Sequence, residues 1–117
     1  MSAIDINVLT QLATDLPVAD LRLVLRTFET DMQRLGAALA ATGQAADIEA
    51  WRRTAHRIAG AAAAVGATVV EQHARAAMAR ATVDAVIAAH ETAVLHAAIT
   101  AALAELQDFT APRNSGA

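Results

Sequence analysis

The sequence predicts an all-α protein, an antiparallel four-helix bundle with a short extra N-terminal helix. Three observations carry this. Alanine, the strongest intrinsic helix former, fills much of the chain, while the helix breakers are few: five glycines and two prolines in 117 residues. Two long segments place apolar residues at alternating steps of three and four, which lines one face of a helix. Nowhere do β-branched and polar residues alternate between turn signals, as a half-buried strand requires.

The elements follow in order. A first helix starts at about Asp5, a capping residue, and runs to Ala13. Pro17 stands in the first turn of a long second helix, where its missing N–H leaves no hydrogen bond unmade. Val18, Leu21, Leu25, Phe28, Met32, Leu35 and Leu39 form its apolar stripe, and Thr42-Gly43 ends it. The third helix begins near Asp47, carries Ile48, Trp51, Ala55, Ile58, Ala62 and Val65 on one face, and stops at Gly66. Thr68-Val69-Val70-Glu71 matches a capping box, opening a fourth helix to about Arg80. The fifth starts near Thr82, has Asp84 in its first turn and reaches about Phe109, which is expected to seal the bundle's end. Its stripe of Ile87, Leu95, Ile99, Leu103 and Leu106 is looser and filled in by alanines. Short links between helices imply antiparallel neighbours. Residues 1–109 thus read as a single domain. Residues 110–117, rich in Pro, Asn, Ser and Gly, read as a frayed tail.

Composition narrows the function. Hydrophobic residues make up 56% and aromatics only 3%, so the core is built from aliphatic side chains. A net charge of −3 with no basic run beyond Arg52-Arg53 argues against a patch that tracks nucleic-acid phosphates. Without cysteine there is no disulfide, thiolate metal site or thiol nucleophile. The N-terminus lacks the basic region of a signal peptide. The longest stretch free of charge and histidine, 58–70, is shorter than the ~20 residues of a membrane helix. These features lead us to expect a cytoplasmic, monomeric domain that does not insert into a membrane.

One residue stands out. His56 lies roughly 130° around the third helix from the centre of its apolar stripe, so it should face solvent. Arg52 and Arg53 precede it by one turn, and Ala59, Gly60 and Ala63 follow. A glycine inside a helix costs ~1 kcal/mol relative to alanine. Its retention among alanines suggests that something approaches the backbone closely at Gly60. His73, His90 and His96 have no comparable setting. His90 and His96 are not at the i, i+4 spacing of a helical metal pair. No inward-facing Glu-x-x-His repeat supports a metal-binding bundle, so no metal site is expected.

The run Ala55-His56-Arg57-Ile58-Ala59-Gly60, followed by small residues to Gly66, resembles the motif of histidine-containing phosphotransfer (HPt) domains. His56, Ile58, Gly60 and Gly66 fall on that pattern. Phe28 in the preceding long helix and the approach from Asp47 to Arg53 also look like the family, and the likeness covers most of residues 4–109. The resemblance implies that His56 carries a phosphoryl group and that the fold is a helical bundle. It implies response-regulator receiver domains as partners, including one in a sensor kinase whose C-terminal module this could be. The module would not be an enzyme on its own. It would hold no cofactor, the Mg²⁺ coming from the receiver, since the sequence has no nucleotide loop or acidic cluster of its own. Where the family has a lysine, this chain has Ala59. Arg53, Arg52 or Arg57 would then hold the phosphate, because a guanidinium pairs bidentately with its oxygens. Ala59, Gly60 and Ala63 would form the smooth strip on which a receiver docks. The alternative is a module that docks receivers without carrying phosphate.

Overall fold

The computed structural model describes residues 2–110. It contains five helices and, among the described residues, no strand: α1 (Ile6–Asp15), α2 (Val18–Gln44), α3 (Ile48–Val65), α4 (Thr68–Ala79) and α5 (Ala85–Thr110). α2 packs on α3, α3 on α4, α4 on α5 and α5 back on α2, which closes a four-helix bundle. α1 touches α2 and α3 and lies across one end. The tail positions 111–117 lie outside the described residues, and Thr110 belongs to α5 rather than to the tail.

The core forms where the stripes predicted it. Leu25, Phe28, Met32, Leu35, Trp51, Ile58 and Leu106 are buried, whereas Leu103 is only partly so. Trp51 is fully buried, and its indole N–H donates to the Thr92 hydroxyl on α5 at 3.1 Å, so the one polar atom of that ring has a partner. Seams involving α4 are made of small residues. Ala55, Ala59 and Ala62 of α3 and Val70, Ala74 and Ala77 of α4 are all buried, and short side chains let the two backbones approach closely.

Several termini depart from the sequence expectation. Asp84 precedes α5 rather than lying in its first turn: its carboxylate accepts from the Ile87 amide at 2.8 Å, the geometry of an N-cap. The capping box at Thr68 does not form. Ala67 occupies the cap position, the Thr68 hydroxyl donates back to the Gly66 carbonyl, and Glu71 pairs with Arg75 instead. Phe109 does not seal the bundle, being 37% exposed, and Val18 at the head of the α2 stripe is 66% exposed.

Gly66 fixes the α3–α4 turn. Its φ of +75° is left-handed, and a Cβ there would come within 2.8 Å of the Val8 side chain. The space is filled by α1, whose N-cap residue Asp5 donates its amide to the Gly66 carbonyl at 2.7 Å. Just upstream, the Ala3 amide and Ser2 hydroxyl donate to the Glu105 carboxylate near the end of α5. The N-terminal segment thus ties the α3–α4 turn to the C-terminal end of α5.

α5 meets the length and composition of a membrane span, with a mean hydropathy of 1.5 in its most apolar window. Its Leu95, Ile99 and Leu106 face the bundle core, and Glu91 pairs with Arg80 at 2.8 Å, so it acts as a packed helix of this bundle.

Candidate functional site

The middle of α3 presents two faces set by its 3.6-residue period. Trp51, Thr54, Ala55, Ile58, Ala59, Ala62 and Val65 point inward. Arg53, His56, Arg57, Gly60, Ala63 and Ala64 are exposed. His56 therefore projects an imidazole from a rigid, fully hydrogen-bonded helical segment into open solvent.

The ground around it is low. A Cβ built on Gly60, one turn further along, would meet nothing within 4 Å. Among the described residues no atom outside α3's own backbone lies close to that position, so the surface over Gly60 is open. Ala63 and Ala64 extend the low strip toward α1. There Val8, Leu12 and Ala64 line a shallow hollow with Asn7 and Gln11 at its rim. The hollow was not evident from the sequence, because it forms between two helices far apart in the chain.

The three sequence-predicted arginines have different settings. Arg52 is half-buried and donates to the Met78 carbonyl at 2.8 Å, which gives a partner to a carbonyl in the last turn of α4. That bond uses one end of its guanidinium, Nη1. Arg53 is exposed and sits 3.5 Å from Glu49, a solvent-facing i, i+4 pair of the kind worth at most ~0.5 kcal/mol. Arg57 is exposed and enters no ion pair among the described residues.

Ala59 must be withdrawn from the docking strip. It is fully buried in the α3–α4 seam, so it presents nothing to a partner. The same burial accounts for its identity: a longer side chain would meet α4. Gly60 and Ala63 remain at the surface.

The side chains nearest His56 along α3 are guanidinium groups and methyl groups, a donor set that repels rather than binds a divalent cation. The same surface suits an anion. Of the other histidines, His73 is half-buried, and His90 and His96 are exposed on α5.

A family model for the Hpt domain matches residues 21–109, well over half of the chain. No curated protein and no solved structure gives a significant match. The match runs from the first turn of α2 to the last turn of α5, nearly all of the four-helix bundle, and includes the exposed histidine face of α3. The chain accordingly belongs to the family of Hpt domains, phosphocarrier modules that exchange phosphoryl groups with receiver domains in phosphorelays.

Proposed function

We propose that His56 is the phosphoryl-carrying residue of this domain. It takes the group from the aspartate of one receiver domain, carried by a sensor kinase, and passes it to a response-regulator receiver. The observation that carries the reading is an exposed imidazole held mid-helix beside an open, side-chain-free strip at Gly60 and Ala63.

The chemistry asks little of this chain. The unprotonated ring nitrogen of His56 donates its lone pair to phosphorus as the bond to the aspartyl oxygen breaks. The carboxylate leaves with that electron pair, and the other ring nitrogen keeps its proton. Positioning and electrostatics supply most of the catalysis in phosphoryl transfer. The receiver brings its own Mg²⁺; the one carboxylate of α3, Glu49, lies two turns before His56 and pairs with Arg53. The low strip lets the rim of the receiver's cleft descend to the helix backbone, and the Val8–Leu12–Ala64 hollow offers apolar contact beside it. Arg53 and Arg57 add positive charge near the transferred group. We further propose that the domain works as a monomer in the cytoplasm.

Incubation with a radiolabelled phospho-receiver tests this. The wild-type chain should take acid-labile, base-stable label, and His56→Gln should take none. Label on His56→Gln would place the phosphate elsewhere. Receiver binding without any transfer to the wild-type chain would favour the docking-only alternative, which the missing lysine at Ala59 keeps open.

A further inference from the structure

Across the α3–α4 seam, α4 carries a cation, Arg75, that belongs to neither the third helix nor the sequence motif. Arg52 and His56 lie one turn apart on α3 and so share a stripe. Met78, Arg75 and Glu71 share a stripe on α4 by the same rule. The hydrogen bond from Arg52 to the Met78 carbonyl, at 2.8 Å, shows that these two stripes border one another. The helices run antiparallel. Four residues up α3 from Arg52 reach His56, and three residues back along α4 from Met78 reach Arg75. At 1.5 Å of rise per residue the two positions stand at nearly the same level on the outer edge of the seam. The seam itself is alanine against alanine, so the backbones there are close.

Arg75 is not idle in the unmodified protein. Its Nε donates to Glu71 Oε2 at 2.8 Å, with the arginine 55% and the glutamate 28% exposed. That contact draws the guanidinium back along α4 toward the N-terminal end of the helix. A phosphoryl group on His56 would carry more charge than one carboxylate and offer three oxygens, so it would outcompete Glu71 for the fork of the guanidinium.

We infer that Arg75 is the principal cation that holds the phosphoryl group on His56, supplied across the seam, and that Glu71 keeps it parked until the group arrives. The position explains how a chain with alanine at residue 59 provides charge without opening its core. The inference rests on His56 being the phosphorylated residue.

The test loads the purified domain with potassium phosphoramidate, which needs no receiver. His56 displaces ammonia from phosphorus, the P–N bond to ammonia breaking as the bond to the ring forms. The half-life of the phosphohistidine is then followed for wild type, Arg75→Ala, Arg75→Lys and Glu71→Gln. All sites are on the surface, and thermal melts establish that each variant is folded. Arg75→Ala should shorten the half-life about fivefold, the scale of one charge-assisted contact, and Arg75→Lys should restore most of it. Glu71→Gln should lengthen it. An unchanged half-life in Arg75→Ala, a loss that lysine does not rescue, or a shortened half-life in Glu71→Gln overturns the inference. Phosphoramidate label that does not depend on His56 would instead overturn the site assignment, and failure of transfer from a receiver alone would overturn the relay reading.

Discussion

Replacing Gly60 by alanine separates stability from function at the candidate site. The position is inside α3 and exposed, and an added methyl would meet no atom within 4 Å. Nothing in the folded state resists the change. Alanine lowers the backbone entropy lost on folding and raises helix propensity, together about 0.5–1 kcal/mol. With an unfolding entropy of about 2.1 cal/mol/K per residue, a chain of this length gains roughly 4 °C in Tm for each kcal/mol, so the variant should melt about 2–4 °C higher. Circular dichroism at 222 nm during a thermal ramp reads this directly. The same methyl stands on the strip that a receiver must cover, so phosphoryl transfer between the domain and a receiver should slow although the protein is more stable. A lower Tm would mean that the space over Gly60 is not open. A higher Tm with an unchanged transfer rate would mean that docking does not use that strip, and the reasoning about His56 would lose its main support.

Other outcomes follow from the packing. Ala59→Lys, which restores the residue that the family resemblance implies, should destabilise by about 1–3 kcal/mol, because a longer side chain overpacks the closed α3–α4 seam; urea titration measures it, and a midpoint equal to wild type would refute the closed seam. Phe28→Ala should cost about 3–5 kcal/mol by the same assay, since the ring is 3% exposed among aliphatic neighbours. His56→Gln should stay within about 0.5 kcal/mol of wild type, and a large loss would make the ring structural. The Ala3 amide, then the Ser2 hydroxyl, hold the Glu105 carboxyl below its ordinary value of 4.5. A depressed carboxylate pKa stabilises the fold above 4.5 and loses that contribution as pH falls through the lowered value. Glu105→Gln should therefore flatten the acid side of the stability profile, and the Ala3 amide should lose protection against hydrogen exchange, relative to its intrinsic rate, as pH falls in the wild type but not in the variant.

The legible parts of this protein were those governed by one helix at a time. The stripe through Leu21, Leu25, Phe28, Met32, Leu35 and Leu39 set α2, and the wheel of α3 placed Trp51 inward and His56 outward. Ala59 was misplaced because it sits at the edge of the apolar face, where burial depends on how closely α4 packs, and a single helix carries no record of that distance. The place inferred for Arg75 is hidden in the same way: α4 comes alongside α3 only after the turn at Gly66 folds it back. Thr68 and Glu71 have the spacing of a capping box, but the turn shifts the cap to Ala67 and Arg75 engages the glutamate. Phe109 is an aromatic that the sequence suggests for the core, yet more than a third of it stays exposed in the last turn of α5.

Trp51 makes the folding of this domain visible without a label. It is the chain's single tryptophan, there is no tyrosine, and its ring lies in a dry aliphatic interior while its N–H is tied to Thr92 on another helix. Excitation at 295 nm thus reports on the meeting of α3 with α5, through Thr92, and with α2, through Gly43. The indole and His56 lie on opposite faces of one helix, so a receiver can cover the histidine while the emission keeps its blue-shifted maximum. Fluorescence then counts folded molecules under the same conditions in which radiolabel counts phosphorylated ones, and the ratio gives the occupancy of each variant corrected for any fraction that has unfolded.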